Sequence, residues 1–242
     1  MTEFFQSKAW LEAIEIIKSE TALGIWETLY STVLSTLFAY VIGLPLGVLL
    51  VTGEETGIRP LPKWLMSVLN FAINILRSVP FLILMIIVLP LSRFILGTSI
   101  GTPALIVPLT IAAFPFIARL VESSLRETDK GVIEAAQSIG ATPFQIVYKV
   151  MLPEARPSLL SGAAIALTTI MGYGAMAGII GGGGLGKIAI NYGYYRFKPI
   201  VMWAEVILLV VLVQIFQTVG TKLAVRSDKR ITDTGKKKKK AE

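Results

Sequence analysis

Cysteine and histidine are both absent from the 242 residues of this chain. Without cysteine the chain has no disulfide and no thiolate nucleophile, although this absence alone points to no particular compartment. Without histidine it lacks the side chain that most often acts as a general base at neutral pH, and most zinc sites are excluded too. The chain thus lacks the residues of the commonest catalytic and zinc sites. Together with the resemblance described below, this leads us to expect no catalytic residue, no cofactor site and no metal site in the chain itself.

Charged residues are scarce, and the apolar residues are grouped. The sequence is 16% charged and 54% hydrophobic, with a mean hydropathy of +0.70. Its apolar blocks are each about 20 residues long, the length that a helix needs to cross roughly 30 Å of hydrocarbon. Runs of this length without alternation are typical of helices and not of barrel strands. The predicted fold class is an all-α integral membrane protein, whose membrane domain (24–225) has five transmembrane helices at about 24–51, 65–89, 102–124, 157–180 and 200–224.

Lysine and arginine are distributed unequally between the connections of these spans. Fifteen lie on one side and six on the other. The richer side is expected to face the cytoplasm. This predicts an N-terminus outside, a cytoplasmic loop at 126–157 between spans 3 and 4, and a basic cytoplasmic tail at 226–242. The five lysines Lys236–Lys240 of the tail either touch anionic lipid headgroups or act only as a topology signal.

The first 23 residues carry a weaker pattern. Trp10, Ile14 and Ile17 recur at helical spacing with glutamate and lysine between them. This predicts an extracytoplasmic amphipathic segment over residues 1–23 that lies along the membrane surface. A simple extension of the first span explains the pattern equally well. The acidic residues argue against a signal peptide, because a signal peptide begins with a cationic region.

The loop at 126–157 has the signals of two short helices. Asp129 is placed to cap the first helix, and Gly140 stands where a left-handed residue would end it. Thr142 and Gln145 then form the pattern of a capping box, and Pro153 is expected to end the second helix. Helices of about ten residues need something to pack against. Docking on another protein and packing on the chain's own membrane helices both remain open on this evidence.

The same loop carries a spaced motif. Glu134-Ala135-Ala136 is followed after three residues by Gly140, and after nine more by Val150-x-Leu152-Pro153. This spacing resembles the EAA loop of ABC importer permeases, with Val150 in place of isoleucine as the single departure. The resemblance implies a coupling helix that docks on a separate ATP-binding subunit. The residues expected to serve that coupling are Glu134, Ala135, Ala136, Gly140, Leu152 and Pro153.

From about Asn74 to Tyr195 the chain is similar to the methionine-uptake branch of these permeases. The similarity includes Arg77–Phe81, Gly97–Gly101 and Gly183–Gly186. It implies methionine or a close analogue as the solute, a bacterial plasma membrane as the location, and ATP and magnesium used only by the partner subunit. Expected partners are a second copy of the chain, two ATP-binding subunits, an extracytoplasmic substrate-binding protein and membrane lipid, with no nucleic acid.

Two groups of residues are candidates for the translocation path. Asn70, Asn74 and Arg77 lie on one helical stripe of the second predicted span, together with Ser67. A charge there is costly in lipid, so Arg77 either lines a water-filled path or pairs with backbone carbonyls or another span. Pro80, just after it, should bend the helix. In the fourth span, whose helix helps to form the gate in the family, the candidates are Met171, Tyr173 and Met176.

The glycine-rich stretch Gly181–Lys187 matches the start of a phosphate-binding loop. Ile188 stands where serine or threonine would hold magnesium, and a predicted membrane helix precedes the stretch in place of a strand. We expect an extracytoplasmic connection here and no nucleotide site. Three other functions stay in view: an importer of another amino acid or an osmolyte, a secondary transporter driven by an ion gradient, and a structural scaffold. A secondary transporter predicts an inverted repeat and acids deep in the spans, and neither is evident.

Overall fold

The computed structural model of this protein describes residues 8–228. The first residues of the predicted amphipathic segment and most of the basic tail therefore lie outside the described residues. Every regular element in the described range is helical, which agrees with the predicted fold class. The elements are α1 (Lys8–Thr52), α2 (Lys63–Ser78), α3 (Phe81–Leu96), α4 (Thr102–Arg126), α5 (Lys130–Ser138), α6 (Pro143–Ile146), a π-helical turn (Val147–Met151), α7 (Leu152–Glu154), α8 (Arg156–Ala177), a 3-10 turn (Gly178–Ile180), α9 (Leu185–Ile188), a π-helical segment (Ala189–Tyr195) and α10 (Pro199–Ser227).

Four stretches of helix within residues 8–228 are long and apolar enough to cross a membrane. They are Trp10–Thr52, Thr102–Arg126, Arg156–Ile180 and Pro199–Ser227. A fifth crossing exists if α2 and α3, which meet at a sharp bend, count as one broken span. The structure therefore agrees with a multi-pass membrane protein, and the count of five spans stays a prediction.

Pro80 interrupts the second predicted span. It has φ −56° and ψ 135°, which is extended backbone, and α3 begins at the next residue. A proline lacks an N–H and disfavours a helical residue before it, so the helix cannot continue through this position. The break agrees with the bend that was expected there.

Helix α1 is longer than a membrane requires. It has 45 residues without interruption, which at 1.5 Å per residue is about 68 Å. The chain from Lys8 to Leu23 is therefore a direct helical continuation of the residues expected to span. This geometry matches the interpretation in which these residues simply extend the first span.

The chain divides into two compact units, and the first comprises Met1–Phe38, Val79–Ala113 and Leu167–Ile215. In it, α1 buries a row of small hydroxyl side chains, several of which donate to carbonyls one turn earlier, such as Thr28 to Gly24 at 2.8 Å. Thr21 donates to the buried carboxylate of Glu205 at 2.5 Å. Polar groups inside an apolar protein need such partners because an unpaired one costs several kcal/mol.

The second unit comprises Ala39–Ser78, Phe114–Ala166 and Phe216–Glu242. Here α1 and α4 approach closely at Gly47, where an added Cβ would lie 2.6 Å from the carbonyl oxygen of Ala118 and 2.6 Å from Cβ of Val121. Leu50, Ile73 and Ala118 form a buried apolar cluster nearby. Small residues at such crossings let helix backbones pack closely in lipid.

We expect Gly47→Ala to lower stability, because one methyl group would overlap backbone and side-chain atoms of α4. Overpacking of this kind costs about 1–3 kcal/mol. The measurement is the thermal unfolding midpoint of the purified protein in detergent. Gly172→Ala is the matched control, since a Cβ there meets nothing within 4 Å. Equal midpoints for the two variants would contradict the close approach.

Candidate functional site

The predicted cytoplasmic loop forms two helices with the expected caps. The carboxylate of Asp129 accepts from the Gly131 N–H at 2.7 Å at the start of α5. Gly140 follows α5 with φ +80°, in the left-handed region that favours glycine. Thr142 then opens α6 with a complete capping box, since its N–H donates to Gln145 Oε1 at 2.9 Å and its hydroxyl accepts from Gln145 N–H. The local predictions for these caps are confirmed. We call residues 129–155 the coupling segment, after the role that the resemblance predicts for them.

The expected end of the second helix at Pro153 is wrong. Leu152 keeps helical angles, φ −63° and ψ −43°, and the helical path continues through a π-helical turn to Glu154. In this turn the N–H of Leu152 bonds to the carbonyl of Val147, five residues earlier. A π-helical turn is wider than an α-helical one, so it accommodates a proline in line with the helix. The helix ends at Ala155, which has ψ 0°.

The motif residues divide between the surface and the interior. Glu134, Ala135, Gly140 and Pro153 are exposed, Ala136 is 9% exposed and Leu152 is half-buried. Apolar side chains on the same segment also face outward, which the motif did not indicate. The most exposed are Ile139 at 85%, Phe144 at 78% and Tyr148 at 64%, and the rings of Phe144 and Tyr148 are parallel.

The opposite side of the coupling segment packs inward. Ile146, Met151 and Ala155 are each buried to 97% or more. A cavity of about 420 Å³ also lies between this segment and the end of α1, lined by residues that include Ile58, Ile133 and Gln137. The segment is thus held on its own unit by one face and presents an apolar face outward.

The asparagines of the candidate path pair with α4. Nη2 of Arg119 donates to Oδ1 of Asn70 and to Oδ1 of Asn74, at 2.9 Å each. Arg77 is exposed. Within residues 8–228 its guanidinium has neither of the pairings left open above, to backbone carbonyls or to another span.

Arg119 belongs to a larger polar network that the sequence interpretation missed. Its Nη1 donates to Glu122 Oε2 at 2.7 Å, and the other oxygen of Glu122 accepts from Arg126 at 2.8 Å. Arg126 also makes a two-pronged pair with Glu54, in the turn after α1. The i, i+3 and i+4 spacing of these charges on α4 was visible in the sequence and is the signal that would have found them.

The candidates on α8 are placed differently from one another. Met171 is 1% exposed and Met176 is 45% exposed. The ring of Tyr173 stacks on that of Phe81, with centroids 4.3 Å apart and planes 7° apart. Stacked rings of this kind form a firm apolar contact. Met171 is therefore buried within its unit, Met176 faces outward, and Tyr173 is held by a ring contact.

The glycine-rich stretch is bound to α1. Glu27 accepts from the Gly184 N–H at 2.7 Å, and the hydroxyl of Thr28 accepts from the Leu185 N–H at 3.0 Å. The stretch follows α8 and a 3-10 turn, whereas a phosphate-binding loop follows a strand. The N–H of Gly184, just before α9, is directed at a carboxylate of the same chain. Beyond it, the hydrogen bond to Glu20 raises the pKa of the Tyr192 phenol.

Comparison of the sequence with known proteins identifies its family. The sequence profile of the family described as "Binding-protein-dependent transport system inner membrane component" matches residues 43–231. The chain belongs to this family. Within it, a probable D-methionine transport system permease protein MetI of Vibrio cholerae is 50% identical over 206 residues, 85% of this chain and 91% of that protein. The corresponding protein of Haemophilus influenzae is 47% identical over 210 residues, 86% and 98% of the two chains.

A solved structure supports the same relationship. An inward-facing conformation of the MetNI methionine ABC transporter contains a chain that is 47% identical to this one, with a TM-score of 0.84. The match covers 86% of this chain and 96% of the other. The predicted resemblance to ABC importer permeases of the methionine branch is therefore confirmed, and the permease is a multi-pass membrane protein.

We expect Gly140→Ala to destabilise the turn between α5 and α6. A Cβ there meets nothing within 4 Å, so the cost is purely conformational, about 1–2 kcal/mol for a left-handed alanine. The measurement is amide hydrogen exchange over residues 130–146, which should become faster. Gly140→Asn is the control, because asparagine tolerates this conformation better than alanine. Equal exchange in both variants would contradict this interpretation.

Proposed function

We propose that this permease is the membrane-spanning subunit of an ATP-binding-cassette importer that carries methionine by alternating access. The observation that carries the proposal is the 50% identity to a D-methionine permease across 85% of the chain. D-methionine and L-methionine are both substrates to be tested. The energy source is a separate ATP-binding subunit, and this chain has no catalytic role of its own.

The coupling segment is the surface proposed to meet that ATP-binding subunit. Its outward face combines exposed motif residues, such as Glu134 and Ala135, with the exposed side chains of Ile139, Phe144 and Tyr148. Large apolar side chains that are this exposed indicate a contact with another protein. The buried inner face keeps the segment in place while the outer face docks. This requires the segment to lie in the cytoplasm, with the N-terminus of the chain outside.

The translocation path is proposed to run between two copies of the chain. Arg77 is exposed on a helix that belongs to a membrane permease, and a charge there must face protein or water. A two-fold dimer would place two such arginines, and two coupling segments, around one axis. In that assembly Asn70, Asn74 and Arg77 border the path. Met171, Tyr173 and Met176 are the proposed gate, and an extracytoplasmic binding protein delivers the solute.

The direct test is uptake into liposomes that contain the permease and the ATP-binding subunit of the same organism. With the binding protein and labelled methionine outside, uptake should require ATP on the side of the ATP-binding subunit. An excess of unlabelled methionine should compete, and unrelated amino acids should not. Uptake of another solute and not of methionine would overturn the proposal that methionine is the substrate. Uptake without ATP would overturn the proposal that the protein is part of an ATP-driven importer.

The docking surface has its own test. We expect Ile139→Asp to abolish co-purification of the ATP-binding subunit. The Ile139 side chain is 85% exposed in the single chain, and the substitution would put a charge into the apolar contact that this side chain is proposed to make. The change should leave the amount of permease in the membrane unaltered. Thr56→Asp is the control, since Thr56 is exposed in the turn after α1 and outside the coupling segment. Full recovery of the subunit with Ile139→Asp would exclude this face as the docking surface.

A further inference from the structure

A continuous polar network lies in the second unit. It begins at Asn70 and Asn74 on α2, passes through Arg119 and Glu122 on α4, and ends at Arg126 with its partner Glu54. Each step is a side-chain hydrogen bond of 3.0 Å or less. Its last arginine stands three residues before Asp129, where the coupling segment begins. One end of the network therefore lies on the candidate path, and the other lies at the base of the coupling segment.

Glu122 is the central link of this network. Its two carboxylate oxygens are divided between the two arginines, one oxygen for each. The side chain is only 12% exposed, whereas that of Arg126 is 45% exposed. Removing Glu122 would leave Arg119, which is 21% exposed, without its charge partner. An unpaired charge that is largely out of water is costly, so Arg119 depends on this one carboxylate, whereas Arg126 also has Glu54.

The hydrogen bonds tie α2 to α4, and Arg126 at the end of α4 lines one cavity with Ile133 and Gln137 of the coupling segment. Arg119 uses one guanidinium nitrogen for the two asparagines and the other for Glu122. The planar guanidinium holds these directions fixed relative to each other. A shift of Arg126 therefore pulls on Glu122, and a shift of Glu122 reorients the group that holds Asn70 and Asn74. Contiguous hydrogen-bonded networks of this kind can transmit a displacement between sites.

We propose that Glu122 is a positioning residue that connects the coupling segment to the asparagine stripe of α2. When a bound ATP-binding subunit moves the coupling segment, the network moves Asn70 and Asn74 with it. The inference rests on the function proposed above. Glu122 lies outside the spaced motif at 134–153, which concerns the docking surface alone. The network supplies the next step, from that surface to the proposed path.

Glu122→Gln tests the link. An amide has one oxygen and one NH2 group, so in the observed arrangement, with one arginine at each oxygen, it accepts from one arginine and presents a donor to the other. The permease should still assemble with its ATP-binding subunit, and ATP hydrolysis should continue. Methionine taken up per ATP hydrolysed should fall about 10-fold, within the range that mutations along coupling networks reach. A purely structural role would lower the amount of complex, or both rates together, and would leave this ratio unchanged.

Two variants serve as controls. Glu55→Gln removes the same charge from a neighbouring but separate pair, in which Glu55 and Lys63 are 68% and 81% exposed. Exposed pairs of this kind contribute little, so the uptake ratio should equal that of the unaltered permease. Glu122→Asp keeps both acceptor oxygens on a shorter side chain and should recover part of the lost ratio.

The outcomes separate the inference from the function on which it rests. Absence of ATP-dependent uptake by the unaltered permease would overturn the function itself. Normal uptake together with an unchanged ratio in Glu122→Gln would overturn the network's role. If Glu122→Gln does not accumulate, Arg119→Lys decides the question. Lysine keeps the charge beside Glu122, but one nitrogen cannot take the positions of both Nη1 and Nη2. A ratio as high as that of the unaltered permease in this variant would also overturn the role.

Discussion

Hydrocarbon offers no hydrogen bond to a polar group, and this one constraint governs the whole permease. Backbone groups of the predicted spans meet it by forming helices. Side chains meet it within each unit, as when Thr28 donates to a carbonyl of its own helix and Thr21 donates to Glu205. Charges meet it in pairs on α4. Among the exposed residues, Arg77 above all still needs a partner or a water-filled space.

The coupling segment is a short element that its own unit holds firmly. Its two helices are capped at Asp129 and Thr142, and their inner face is buried through residues such as Ile146 and Met151. Arg126, which is paired with Glu122, lines one cavity with residues of this segment such as Ile133. A segment held on one side and apolar on the other is suited to passing a displacement onward. A flexible loop would absorb the same displacement.

Much of the site follows from local rules, and those parts were predictable. Caps, turns and the break at Pro80 depend on a few consecutive residues, so the sequence was sufficient for them. The end of the second cytoplasmic helix was mispredicted, because a π-helical turn accommodates Pro153 and the rule for residues before proline does not foresee it. The partner of Asn70 and Asn74 was not predictable either. It comes from Arg119, 45 or more positions away along the chain.

By itself, the sequence determined that the chain is helical, that it is made for a membrane, and that it belongs with importer permeases. These properties reside in composition, in the length of apolar runs and in the spacing of a motif. Tertiary structure alone decided which face of the coupling segment is buried, which asparagines an arginine holds, and that one carboxylate, Glu122, serves two arginines. The reason is physical: a hydrogen bond requires two groups within about 3 Å, and packing of distant segments, not their order along the chain, brings such groups together.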